Sequence, residues 1–267
     1  MTVWEAILWG MLQGATEFLP VSSSGHLVLV PWLLGRSAPG LTYGVIVHTG
    51  TLLAMVVYFW HDIWALLDGL LQSWRQRELT PMGRLALMIA VSAIPAGVVG
   101  LLFDDYLEAA FGEPAVVAVL LLITGAVLAL SEHLGRRERP LEALSWRDAV
   151  TIGLAQCVAL LPGISRSGST ISAGMLRGLD REAAARFGFL MALPLLVGAT
   201  AHELLGMSGG GGQVAGGLLL VGFVAAALTG YAALRLLLGL VRRNGLWPFA
   251  IYCWAIGLFG LVMVAVR

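Results

Sequence analysis

The sequence predicts an all-α, polytopic membrane protein with six spanning helices and two re-entrant helical hairpins, arranged as an inverted repeat in a single integral membrane domain. Three observations carry this expectation. The 267 residues are 58% hydrophobic and 12% charged, with a mean hydropathy of +0.87, whereas a soluble domain is about 25% charged and about 45–50% apolar. Six apolar stretches approach the roughly 20 residues needed to cross about 30 Å of hydrocarbon. Two further apolar stretches are broken by Pro, Gly and Ser, and they match each other. Formal net charge is zero, so no overall field recruits nucleic acid, and no nucleic-acid module is evident.

The first broken stretch is 4–34. Its start lacks a basic n-region and carries Glu5, Gln13 and Glu17, which argues against a cleaved signal peptide. Irregular backbone at membrane depth is tolerated only where protein or a wet cavity satisfies its polar groups, so 4–34 reads as re-entrant. Spans at 41–60, 85–103 and 115–131 complete a first half, 1–131. The second broken stretch, 148–178, is followed by spans at 187–201, 214–234 and 247–266, giving a second half, 148–267. Pro95 and Pro194 should kink their spans.

Charge placement orients these spans. "WRQREL" (74–79) with Arg84, "GRRERP" (135–140) with Arg147, and "VRRNG" (241–245) would share the cytoplasmic side. "DDYLEAAFGEP" (104–114) and "HELLGMSGGGG" (202–212) would face outward, with both termini. "SGGGG" (208–212) reads as an outer turn, since no GK[ST] follows it. Trp4, Trp9, Trp32 and Trp247 read as interface anchors. Asp148, Arg177, Asp180, Arg181, Glu182 and Arg186 read as a solvated, charge-balanced rim. Cys157 and Cys253 lie in apolar segments without metal or redox spacing and read as packing residues. Gly216, Gly217, Gly222 and Gly230 permit close helix contacts, within one chain or across a homodimer.

An internal repeat ties the broken stretches together. "GMLQGATEFLPVSSSG" (10–25) matches "GLAQCVALLPGISRSG" (153–168) at an offset of 143, pairing Gln13 with Gln156, Ser22 with Ser165, Ser24 with Ser167 and Gly25 with Gly168. Three crossings per half is an odd number, so the second copy must enter the membrane inverted. Inverted repeats with broken helices commonly place a binding site near the midplane at the repeat interface.

The polar residues of both copies then belong to one site. Gln13 and Glu17 are four apart, on one helical face, and a carboxylate inside a membrane segment is costly unless it works. One serine of Ser22, Ser23 and Ser24 can cap the helix that begins near Gly25. Three hydroxyls plus His26 exceed a cap. In the second copy Gly163 and Gly168 relieve backbone constraint, while Ser165, Ser167 and Ser169 supply donors. A glycine-flanked turn into a helix suits an oxyanion, and Arg166 adds a bidentate fork matched to phosphate. At the repeat offset Arg166 corresponds to Ser23, a cationic clamp opposite a hydroxyl. His48 and Thr49, in the first span, either extend this cavity or make interhelical hydrogen bonds.

"QGATE" (13–17), "PVSSSGH" (20–26), "PGISRSG" (162–168) and "LDREAAARFGFLMALP" (179–194) together resemble the undecaprenyl-diphosphate phosphatase family, the bacitracin-resistance type of integral membrane phosphatase. The similarity extends over nearly the whole chain. It implies a multi-pass protein of the bacterial cytoplasmic (inner) membrane, with a polyprenyl diphosphate lipid as substrate and membrane lipids around it. The implied reaction is hydrolysis of the diphosphate to the monophosphate and inorganic phosphate at an outward-facing intramembrane site, recycling a cell-wall lipid carrier. The family allows Glu or Gln at the first helix position, here Gln13.

Combined with the local chemistry, the resemblance makes Ser23 the preferred nucleophile, with Ser22 and Ser24 as alternatives. His26 is base or orienting partner, and Arg166 is the phosphoryl clamp. Glu17 would hold a divalent cation, Mg²⁺ or Ca²⁺, with Gln13 orienting that shell. Phosphate binding falls to Ser22, Ser24, Gly25, Gly163, Ser165, Ser167 and Gly168. Direct attack by water activated at His26 or Glu17 is the competing route. Secondary transport is the competing function, because inverted repeats around an anion site also describe a carrier.

Overall fold

The computed structural model describes residues 1–103, 113–206 and 215–266. The expected outer turn at 208–212 lies outside the described residues, as does most of the expected outer loop at 104–114.

Eleven α-helices follow in order among the described residues: α1 (Val3–Phe18), α2 (Ser23–Leu33), α3 (Leu41–Tyr58), α4 (Trp60–Gln76), α5 (Pro81–Leu102), α6 (Pro114–Leu134), α7 (Trp146–Val158), α8 (Arg166–Leu176), α9 (Arg181–Gly206), α10 (Gly216–Asn244) and α11 (Trp247–Val266). A 3₁₀ turn, Leu141–Ala143, precedes α7. Six of these, α3, α5, α6, α9, α10 and α11, are long and apolar enough to cross a membrane. The chain is a multi-pass membrane protein.

The two short helix pairs, α1–α2 and α7–α8, are built by the same local chemistry. At α1, the Thr2 hydroxyl accepts from Glu5 N at 3.2 Å while Thr2 N donates to the Glu5 carboxylate at 2.7 Å. At α7, Ser145 and Asp148 form the same reciprocal cap, 143 residues on. Each box satisfies two of the amides a helix start leaves orphaned. Leu19 ends α1 in an extended conformation, as the clash with the ring of Pro20 requires. The following helices are again capped alike. Ser22 accepts from Gly25 N at 3.2 Å, and Ser165 accepts from Gly168 N at 3.1 Å.

Packing interleaves the two halves. α1 lies along α10 and α7 lies along α5, while α3 contacts α10, α9 contacts α5 and α8, and α6 pairs with α11. α1 and α10 approach closely because small residues face each other. A Cβ on Gly14 would sit 2.5 Å from the Ala226 carbonyl oxygen, a small-residue crossing that lets dispersion act where lipid gives no hydrophobic drive. Phe18, Phe59 and Phe189 form the centre of the main core, with Phe18 edge-on to Phe189 at 6.0 Å. Outside it, Ile94, Leu102, Leu228 and Leu258 stand exposed on the spans, as a lipid-covered surface requires.

One helix, α4, was not among the expected elements: it is amphipathic, packs its Gly69 on Met82 and Gly83 of α5, and ends with Trp74 to Gln76 of the charged stretch. Two expectations need correction. Trp9 is no interface anchor. It is buried with Ala6, Tyr43, Val47 and Ala226, where α1, α3 and α10 meet. Nor is Asp148 a solvated rim residue, because it is fully buried and receives Arg139 and Arg177, each at 2.8 Å. Burial opposes its ionisation. The hydrogen bonds from Arg139, Ser145 and Arg177 outweigh that cost and hold the Asp148 carboxyl well below the usual carboxylate range.

Candidate functional site

The turns that end α1 and begin α8 touch. A Cβ on Gly25 would lie 3.3 Å from Gly163 Cα, and Gly163 N donates to Ser24 Oγ at 3.4 Å. Ser22 Oγ donates to the Ile164 carbonyl at 3.4 Å, and Ser167 Oγ to the Leu19 carbonyl at 3.2 Å. Hydroxyls of each turn thus serve the backbone of the other. Gly163 is required at its position: its φ is +102°, and a Cβ there would stand 2.6 Å from the Val117 carbonyl oxygen.

Glu17 is the point of convergence. It is 7% exposed at the end of α1, and its Oε2 accepts from Ser23 Oγ at 2.6 Å and from Gln13 Nε2 at 2.9 Å. Its Oε1 takes a hydrogen bond from the Arg166 guanidinium, 149 residues away. His48 Nε2 of α3 stands 3.9 Å from Oε2, whereas Thr49 turns back to the Val45 carbonyl of its own helix at 2.8 Å. One carboxylate therefore gathers the hydroxyl of the first turn and the cation of the second. Ser22 and Ser24 differ from Ser23, bonding each other at 3.2 Å and the opposite turn.

His26 is placed otherwise than beside Ser23. Its Nδ1 lies 2.7 Å from the Ser22 carbonyl, and its Nε2 lies 2.8 Å from the Tyr252 hydroxyl of α11. The two rings stack, with centroids 5.6 Å apart and 8° between their planes. Both ring nitrogens are thus engaged. They brace the Ser22 peptide, whose φ of +67° is costly for a residue with a side chain.

Around Arg166, Ser165 and Ser167 hydroxyls lie 3.2 Å apart. Thr124 of α6 locks the turn from behind, donating to the Gly163 carbonyl at 2.9 Å and accepting from Ser165 N at 3.2 Å. Tyr252 and Thr124 escaped sequence reasoning. Each is a lone polar group in an apolar span, where interface seating or helix back-bonding is the ordinary reading. Their position opposite the turns comes only from folding.

A divalent cation can be tested against this donor set. Among the described residues, no three His, Cys, Asp or Glu side chains are grouped to hold a metal. Gln13 Oε1 is buried without a hydrogen-bond partner beside the Glu17 carboxylate. Hard cations bound through one or two carboxylates characteristically complete their shell with substrate phosphate and water. One carboxylate and one orphan amide oxygen fit a cation that arrives with a diphosphate.

A buried carboxylate, a hydroxyl on it and a guanidinium from another turn define a class: a multi-pass helical membrane protein whose two short helix pairs join in one polar cluster. The chain matches the family described as bacitracin resistance protein BacA over residues 6–259. It is 43% identical over 255 residues to the undecaprenyl-diphosphatase of Pelobacter propionicus, covering 94% of this chain and 93% of that one. It is 39% identical over 267 residues to that of Halothermothrix orenii, with both chains covered completely. To that of Thermomicrobium roseum it is 41% identical over 278 residues, with 99% of each covered. The chain belongs to the BacA family.

Proposed function

We propose that the chain is an enzyme that hydrolyses undecaprenyl diphosphate to undecaprenyl phosphate and inorganic phosphate, recycling the lipid carrier of cell-wall synthesis. The observation that carries this reading is the convergence of Ser23 and Arg166 on Glu17. The reactive hydroxyl of the first turn lies 2.6 Å from a carboxylate that also holds the cation of the second turn. The isoprenoid tail needs an apolar approach and the diphosphate a small polar cavity, and a site between membrane helices offers both.

Arg166 has two partners to choose between. Without substrate it pairs Glu17. A diphosphate, which carries more charge than one carboxylate, draws the guanidinium onto its phosphoryl oxygens, where charge spread over the transition state needs it. Glu17 is thereby freed to take the Ser23 proton through Oε2, and Ser23 Oγ attacks the terminal phosphorus. The bond to the bridging oxygen breaks, undecaprenyl phosphate departs, and water then releases phosphate from the serine. Ser165, Ser167 and the amides of the α8 start bind the remaining oxygens. His26 serves as the orienting partner that holds the Ser22–Ser24 turn against Tyr252. A divalent cation would be held by Glu17 and Gln13 Oε1 with the substrate, and would supply neutralisation of phosphate charge.

The arrangement is an inverted repeat, 1–131 against 148–267, each half opening with a re-entrant hairpin (4–34 and 148–178), in one membrane domain of the bacterial cytoplasmic membrane. Lengths support it: α1, with 16 residues, and α7, with 13, reach about 24 Å and about 20 Å. End to end they match the roughly 40–45 Å of a whole bilayer, so turns entering from opposite faces meet inside it. The site is entered from the outer side. Gly222 and Gly230 are consumed within the chain, against Tyr43 and Phe18, while Gly216 and Gly217 have open space around them and suit a homodimer contact.

The test is release of inorganic phosphate from undecaprenyl diphosphate by the purified chain in detergent, with and without chelator. Turnover is expected, and its loss with chelator is expected from the cation. A carrier without enzymatic activity gives none, because detergent leaves no second compartment.

A further inference from the structure

Two adjoining cavities lie at the arginine-bearing end of the bundle, and neither is lined by Glu17, Ser23, His26 or Arg166. One, of about 340 Å³, is acidic, with Asp62, Glu142, Asp180 and Glu182 against Arg186. The other, of about 220 Å³, lies between the α3–α4 junction and the facing parts of α9 and α10. Its walls carry three guanidinium groups, Arg186, Arg235 and Arg242, against two carboxylates, Asp62 and Glu182, with Tyr58 beside them. Arg186 pairs with Asp62, and Arg242 pairs with Glu182 at 3.2 Å. Among the described residues Arg235 has no carboxylate within ion-pair distance. The second cavity therefore keeps a surplus positive charge that the acidic one lacks.

Its level in the membrane is marked by α4. Trp60, Trp64, Leu67, Leu71 and Trp74 recur at spacings of four and three residues, all exposed, while Ile63, Leu66 and Gly69 pack inward. A helix with one packed face and one open stripe rich in tryptophan belongs at the boundary of acyl chains and headgroups. Asp62 of that helix lines the arginine cavity. Arg235 and Gly239 are exposed on the outer surface of α10, so the cavity opens sideways toward lipid.

We propose that this cavity seats the phosphodiester headgroup of an anionic phospholipid, held by Arg235 and Arg242 with Tyr58 as a hydroxyl donor. Guanidinium forks match phosphate oxygens, and basic pockets between helices at headgroup depth recognise such lipids. Leu238 on the same wall leaves the acyl chains in the bilayer. The neighbouring carboxylates Glu142 and Asp180 turn the same headgroup away from the first cavity. The assignment is independent of the phosphatase reading.

Native mass spectrometry of the full chain in neutral detergent tests it, with phosphatidylglycerol, phosphatidylcholine or inorganic phosphate added. Phosphatidylglycerol is expected to be retained in preference to phosphatidylcholine. Its occupancy should fall about tenfold in Arg235→Gln, the size of one charge-assisted hydrogen bond, and persist in Arg235→Lys. Gly239→Leu, whose new Cβ meets nothing within 4 Å, fills the cavity without removing a charge and should lower occupancy as well. Equal retention of both lipids, or wild-type occupancy in both Arg235→Gln and Gly239→Leu, overturns the proposal. Inorganic phosphate that displaces phosphatidylglycerol from wild type and binds Arg235→Gln more weakly overturns the choice of a lipid.

Discussion

A single carboxylate buried between helices has to be matched by donors, since a buried charge without them costs several kcal/mol. Glu17 receives three kinds, from Gln13, Ser23 and Arg166, and the proposed reaction assigns the last two to the phosphoryl group. Glu17→Gln keeps the shape but removes the proton acceptor and leaves Arg166 unmatched. Its kcat is expected to fall about 10²–10⁴-fold, the range of a lost general base. Ser23→Ala should fall as far, and acid quenching of wild type with labelled substrate should trap phosphate on Ser23. Label on Ser22 or Ser24, or full activity in Ser23→Ala, would remove Ser23 from the role of nucleophile. Tyr252→Phe acts only through His26, so its loss should be smaller, about tenfold, the value of one hydrogen bond to a bracing side chain. The meeting of Glu17, Ser23 and Arg166 was legible because polar residues stand out against apolar surroundings and Ser23 and Arg166 align at the 143-residue offset. The bond from Ser23 to Glu17 rather than to His26 was not legible. A separation of three residues places His26 near Ser23 along the helix, but Tyr252, 226 residues on, decides where the ring points.

At the scale of elements, the two short helix pairs work because their turns are forced into place. Gly163 holds a φ of +102° against the Val117 carbonyl. Gly163→Ala adds strain of about 1–3 kcal/mol and displaces the α8 start, so activity is expected to drop while the chain remains folded in a thermal melt. Retained wild-type turnover would show that the turn does not position Arg166. The caps offer a second test. Asp148 ties the α7 start to Arg139 and Arg177, with its carboxyl held below the usual range. Since the folded value is depressed, this stability is fully present above the ordinary carboxylate pKa and is lost as pH falls through that value toward the folded one. Asp148→Asn should cost about 2 kcal/mol near neutral pH, discounted because the arginines are partly in water. It should also flatten the acid side of the Tm profile; an unchanged slope there would assign acid sensitivity elsewhere. The spans were read from hydropathy alone, but α4 was not, because a helix lying along the boundary has the charges of a loop and the apolar spacing of a helix at once. Asp148 misled for a related reason: charge near a helix start reads as solvated until its partners, 9 and 29 residues away, fold over it.

For the whole molecule, the decisive issue is whether the halves enter the membrane from opposite sides. The matching caps at Thr2–Glu5 and Ser145–Asp148, the paired packing of α1 on α10 and α7 on α5, and the contact of Gly25 with Gly163 all follow if one hairpin descends and the other rises. A parallel arrangement would have both turns enter from one face. Cysteine labelling separates the two. In a background lacking Cys157 and Cys253, Ser37→Cys sits exposed after α2 and Glu142→Cys sits exposed before α7. A membrane-impermeant maleimide applied to intact cells should label Ser37→Cys and spare Glu142→Cys, and it should reach both once the membrane is opened. Protection of Ser37→Cys with labelling of Glu142→Cys would reverse the orientation, moving the site's entrance to the other face. Labelling of both in intact cells would defeat the inverted arrangement, because Glu17 and Arg166 could then meet only by a route other than two turns rising from opposite surfaces.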